Sequence, residues 1–209
     1  FELFPSVKLS KEEIMNFLNL FWKFSNPLII YAMFSLIGGI GERLILQKFG
    51  GSIQQAYFGI SFKVGSFVLL FTSAMIPLLM REFSKLHVLD DKFQISEMFQ
   101  RNIKLLYFIA TFIGVNVAFN AEFITRLLGG YQFREAVVVV SLMAFYPIHQ
   151  TLGQINGILF FSSSRTAQYR NIGLFIVPVG LVFSFFLIAP EEYFGLHLGA
   201  IGLAYQMLI

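Results

Sequence analysis

Lys63, His149, Gln150 and Gln154 stand where polar side chains are rarest, inside long apolar runs. A charged group at mid-bilayer costs roughly 2.5–3.5 kcal/mol on insertion scales, so each such residue implies a use. Lys63 lies seven residues into an apolar run, roughly 10 Å along a helix at about 1.5 Å per residue. It either offers a cation to an anion in a cavity or snorkels its ammonium to the outer headgroups. His149 sits within Tyr146-Pro147-Ile148-His149-Gln150-Thr151, followed by Gln154 and Asn156, the most polar stretch inside any run. Gln150 and Gln154 share a helix face at i, i+4. They can serve hydroxyls or a coupling proton together with His149, or act as hydrogen-bonding glue between helices. Pro147 removes one helical hydrogen bond and is expected to kink this segment.

Glu42 and Arg43 adjoin near an outer helix end and point roughly 100° apart, so each needs a different partner. Arg43 faces either a wet cavity or the outer headgroups. Glu122 and Arg126, at i, i+4, are expected to form a solvated ion pair. No catalytic constellation stands out, and neither a cofactor nor an enzyme activity is expected. Ser162-Ser163-Ser164 lacks a nucleophile elbow, and His87, His149 and His197 lack metal spacing. Gly38-Gly39, Gly195, Gly199 and Gly202 lie in apolar runs and read as close helix packing. With no cysteine, disulfides and thiolate metal sites are excluded.

The elements that must hold these residues are transmembrane. Of 209 residues 56% are hydrophobic and 13% charged, at a mean hydropathy of +0.72. That is more apolar surface than a soluble domain hides. Spanning runs are expected at about 24–46, 56–80, 105–125, 136–161 and 172–189, with a truncated sixth at 196–209. The expected fold is an all-α membrane protein, a bundle of about six helices. Because the sequence starts at Phe1 and stops inside an apolar run, it reads as part of a longer chain. Residues 1–23 are expected to form an interfacial amphipathic helix. A capping box opens it at Ser10–Glu13, Ile14, Phe17, Leu18 and Phe21 make its stripe, and the chain restarts at Asn26-Pro27. A second interfacial helix is expected over 90–104, with Ile95, Met98, Phe99 and Ile103 on one face; packing against the bundle is the competing reading for both stripes.

If the connections alternate sides, ten bases (Lys8, Lys11, Lys23, Arg81, Lys85, Lys92, Arg101, Lys104, Arg165 and Arg170) share one side against Arg43, Lys48, Arg126 and Arg134 on the other. The richer side is expected to be cytoplasmic. The isoelectric point near 9.2 thus reflects membrane orientation, and no nucleic-acid partner is expected.

The run Glu42-Arg43-Leu44-Ile45-Leu46-Gln47-Lys48-Phe49-Gly50-Gly51, with Ala56-Tyr57-Phe58-Gly59 after it, resembles a helix end and helix start in polysaccharide-unit flippases. These belong to the multidrug/oligosaccharidyl-lipid/polysaccharide exporter superfamily. Ile76-Pro77 through Arg81-Glu82-Phe83-Ser84, Leu128-Gly129-Gly130-Tyr131 and Phe194-Gly195 through Gly202-Leu203-Ala204 are similar to further stretches of that family in the same order. The resemblance implies the second half of a two-bundle, MATE-like transporter. Its expected activity is alternating-access flipping of undecaprenyl-pyrophosphate-linked oligosaccharide, as for O-antigen units, across a bacterial or archaeal cytoplasmic membrane. Membrane lipids, a polysaccharide polymerase and export machinery are the implied partners. Arg43 and Lys63 are then expected to meet the pyrophosphate, and His149, Gln150 and Gln154 the sugar hydroxyls. The competing readings are a drug/cation antiporter of the same superfamily, an intramembrane glycosyltransferase or polymerase, and a scaffold.

Overall fold

The computed structural model describes residues 10–209; Lys8 and the first part of the expected 1–23 helix lie outside the described residues. In chain order the helices are α1 (Lys11–Ser73), α2 (Ile76–Val88), α3 (Lys92–Phe119), α4 (Ala121–Gly129), α5 (Val137–Met143), α6 (Tyr146–Ser162), α7 (Thr166–Ile188) and α8 (Gly199–Leu208). Short 3-10 turns at Tyr131–Ala136 and Glu191–Tyr193 complete an all-helical chain, with no strand among the described residues.

Four segments are long and apolar enough to cross a membrane: Lys11–Ser73, Lys92–Phe119, Tyr131–Ser162 and Thr166–Ile188. The first is not one rod. Gly51 takes φ 73° and ψ −175°, a backbone state open to glycine. There α1 folds back into arms 11–50 and 52–73. Leu46 on one arm and Phe58 on the other, both fully buried, meet in the same core. The first expected span falls on the first arm of α1 and the second on the second arm and α2, while the expected sixth is the ten-residue α8, so the described residues hold four helices of crossing length rather than six.

The capping box forms as the sequence suggests. Glu13 N donates to Ser10 Oγ at 3.2 Å, and Ser10 N donates to Glu13 Oε2 at 2.7 Å. The expected restart at Asn26-Pro27 does not occur, because the helix runs through Pro27 with one hydrogen bond fewer. Neither does 90–104 form a separate helix. Asp91 caps it by accepting from Gln94 N at 2.9 Å, the usual role of an N-terminal Asp, and α3 then continues unbroken to Phe119.

Two expected spans are broken instead. Run 56–80 stops at Ser73 and resumes at Ile76, and run 136–161 stops at Met143 and resumes at Tyr146. Each break falls four residues before a proline, Pro77 and Pro147, which has no N–H to offer the carbonyl of Ser73 or Met143.

Burial follows the same plan. One core joins both arms of α1 near Gly51 to α5, α7 and α8 through Leu46, Phe58, Met143, Ile188 and Leu203. A second, at the other end, joins α2, α3 and α6 through Leu79, Phe83, Leu106, Ile155 and Ile158. Ile95, Met98, Phe99 and Ile103 pack onto that second core, which is the bundle-packing reading of their stripe. Ile14, Phe17, Leu18 and Phe21 are exposed, as are Phe108 and Phe112 on α3 and Phe175 and Phe183 on α7. A surface so rich in large apolar side chains suits lipid as solvent. Several small hydroxyls go inside, and Ser61 and Thr151 bond to their own helices. Ser61 Oγ donates to Tyr57 O at 2.8 Å, and Thr151 Oγ1 donates to Pro147 O at 2.7 Å.

Candidate functional site

The polar stretch of α6 opens onto a cavity of about 600 Å³ between α6, α7, the first arm of α1 and the start of α2. His149, Gln150, Gln154 and Asn156 line it together, with Tyr31 and Tyr169 opposite. His149 is exposed, and neither it nor Gln150 has a side-chain hydrogen bond to another described residue. Gln154 is committed: its Oε1 accepts from Thr72 Oγ1 and its Nε2 donates to Ser73 Oγ, both at 3.1 Å. It ties α6 to the end of α1 where the backbone breaks, so the interhelical reading holds for Gln154 and leaves His149, Gln150 and Asn156 unengaged. The far wall is aromatic. Tyr169 meets Tyr31 and Phe161 edge-on, each at 4.9 Å between centroids, a favourable geometry for aromatic rings. Gly173 lets Tyr31 reach into the wall, since a Cβ there would collide with the Tyr31 ring.

Arg43 and Lys63 are elsewhere. The Arg43 guanidinium stacks over Phe58 at 4.4 Å and Phe62 at 5.3 Å, within cation–π range of both rings. It lines a groove of about 450 Å³ along the first arm with Ser35, Gln47 and Gln55. No carboxylate lies within 4.0 Å of it among the described residues. Lys63 is exposed on the face of the second arm that carries Phe67 and Leu70. At about 1.5 Å per residue, the arm starting at Ser52 puts Lys63 about 16 Å from one end and about 15 Å from the other. That is deeper than the apolar run alone implied.

Comparison of the chain with protein-family models, curated proteins and solved structures finds no match. The site's chemistry follows from its own side chains. The cavity offers three unengaged hydrogen-bonding groups, His149, Gln150 and Asn156, and two phenols among mostly apolar neighbours. That pattern suits a hydroxyl-rich ligand held by a few placed polar groups.

One cluster escaped the sequence reading. Glu42 is half-buried in the bundle, where its Oε1 and Gln206 Nε2 of α8 both flank the space beside Gly180. Tyr146 lies within electrostatic reach of that carboxylate. The signal was available in Gln206, a lone amide in an apolar helix, but nothing local pairs it with Glu42. The expected Glu122–Arg126 ion pair is not formed; Arg126 lies over the Tyr131 ring at 5.9 Å, which draws the guanidinium away from the carboxylate.

Proposed function

We propose that this chain is the second bundle of a flippase that moves an undecaprenyl-pyrophosphate-linked oligosaccharide across a bacterial or archaeal cytoplasmic membrane by alternating access. One observation carries the reading: a cavity of about 600 Å³ places unengaged His149 and Gln150 among helices whose outer faces are apolar. Its size is within the ~300–1,000 Å³ usual for ligand pockets. A sugar chain crossing roughly 30 Å of hydrocarbon needs such an interior, because its hydroxyls lose water hydrogen bonds on the way. The pyrophosphate needs cations. Lys63 serves here as an exposed ammonium near the middle of the second arm, where a charge in lipid calls for a wetted or polar-covered face. Arg43 supplies a second cation, with no carboxylate within 4.0 Å among the described residues although Glu42 is within electrostatic reach.

The test is complementation of a flippase-deficient strain by the full-length protein, with membrane abundance measured in parallel. Lys63→Gln is expected to lower glycan export about tenfold at normal abundance, and Lys63→Arg to retain most of it, since a point charge is what matters. His149→Ala with Gln150→Ala lowers export as well. Normal export by Lys63→Gln and by the α6 double variant would remove both from the site and defeat the reading.

A second reading, an ion-coupled drug or cation antiporter of the same superfamily, is favoured by Glu42 alone. A half-buried carboxylate among Tyr146, Gln206 and Gly180 is the kind of group that binds a coupling ion. Cation efflux that depends on Glu42 in the absence of any glycan phenotype would select it.

A further inference from the structure

A second cavity, of about 870 Å³, lies between the α2–α3 turn and the α6–α7 turn, in the segments that carry most of the bases. Four nitrogen-bearing side chains line it: His87 at the end of α2, Lys92 at the first position of α3, Asn156 of α6 and Arg165 at the N-cap of α7. Lys92 and Arg165 are in no ion pair within 4.0 Å among the described residues, and Asp90, also on the wall, neutralises neither. His87 Nε2 is buried with no hydrogen-bond partner among the described residues.

Two helices begin here, α3 and α7; the Asp91 carboxylate caps the first, while α7 has no side-chain cap, so the positive end of α7 adds to the field of the bases. The serines are acceptors more than donors. Ser162 and Ser163 spend their hydroxyl protons on Leu159 O, at 3.2 and 2.6 Å, which leaves Ser164, at φ 57°, as the hydroxyl at the turn. Ile95, Phe99 and Leu159 make the inner wall apolar.

We propose that this cavity binds a phosphate group, with the attached apolar moiety against Ile95, Phe99 and Leu159, as in the headgroup of an anionic phospholipid. The Arg165 guanidinium and the Lys92 ammonium, on helices from two sides of the cavity, match an anion with several acceptor oxygens. An apolar wall behind them matches the glycerol and chain start. The proposal is independent of any transport activity.

The test uses the full-length protein in bilayer discs of phosphatidylcholine with or without phosphatidylglycerol, counting retained lipid by native mass spectrometry. Phosphatidylglycerol should be retained in preference to phosphatidylcholine. Lys92→Gln with Arg165→Gln should weaken retention about tenfold, the loss expected when charge-assisted hydrogen bonds are removed. Arg81→Gln with Lys85→Gln, bases of the same region that do not line the cavity, should change it by about twofold or less. Lys92→Arg, which keeps the charge, should retain binding, and size-exclusion profiles exclude misfolding. Inorganic phosphate that displaces the lipid assigns the site to free phosphate; failure to displace assigns it to the headgroup. Equal losses in the lining and control variants, or no preference over phosphatidylcholine, would overturn the site.

Discussion

Gln154 is the side chain in the candidate site with the fullest set of partners. Its amide both accepts from Thr72 and donates to Ser73 at the point where α1 stops. Gln154→Leu leaves Thr72 and Ser73 facing an apolar side chain, and a cost of about 1–3 kcal/mol is expected from the lost bonds. Thr72 keeps a second acceptor, Leu69 O at 3.1 Å, so its own truncation to valine should cost less. Because the two residues share one bond, the double variant should lose less than the sum of the singles. Thermal unfolding in detergent reads this directly, and strictly additive losses would show that the bond is not made.

At the element scale the break between α5 and α6 depends on glycine as much as on proline. A Cβ at Gly65 would stand 2.7 Å from Met143 O, and one at Gly114 2.6 Å from Ala144 O. These carbonyls lie at the break that Pro147 imposes, and the missing side chains let α1 and α3 close on them. Gly65→Ala and Gly114→Ala are each expected to destabilise the bundle by about 1–3 kcal/mol, as overpacking does. Gly153 has nothing within 4 Å of the position its Cβ would take. Gly153→Ala should therefore be neutral or gain about 0.5–1 kcal/mol. An alanine tolerated at both packed positions would argue against the observed approach of α1 and α3. Pro27 and Pro178 lie inside unbroken helices, so proline alone did not reveal which runs would divide. The glycines that receive the break come from distant segments.

For the molecule as a whole, the connections gather at two ends separated by the 52–73 arm, about 33 Å long. At one end Gln54 Oε1 accepts from Ala200 N at 2.9 Å, and Phe49 stacks near Tyr193 at 5.8 Å. At the other, the α2–α3 and α6–α7 turns enclose one cavity, and Ser164 adjoins Phe17 and Phe21 of the first stripe. The base-rich segments thus share an end, the arrangement that the positive-inside rule assigns to the cytoplasm. The chain has no cysteine, so single cysteines at Lys92 and Glu191 report orientation cleanly. Glu191→Cys should label with an impermeant reagent added to intact cells and Lys92→Cys only after permeabilisation. Equal labelling of both would refute the orientation.

Hydropathy and spacing alone determined that the chain is helical, that its long runs suit a membrane, and that the polar stretch 146–156 is the one most in need of a role. Such signals are local, since helix formation and lipid exposure depend on residues a few positions apart. Tertiary structure decided which side chains share a space. Arg43, Lys63 and His149 look equivalent in sequence as polar interruptions, yet one stacks on Phe58, one faces outward and one opens onto a cavity. Glu42 and Gln206 meet beside Gly180 although they stand at opposite ends of the chain. Those outcomes rest on how helices turn about their axes to bury faces against distant partners, and no window of neighbouring residues records that rotation.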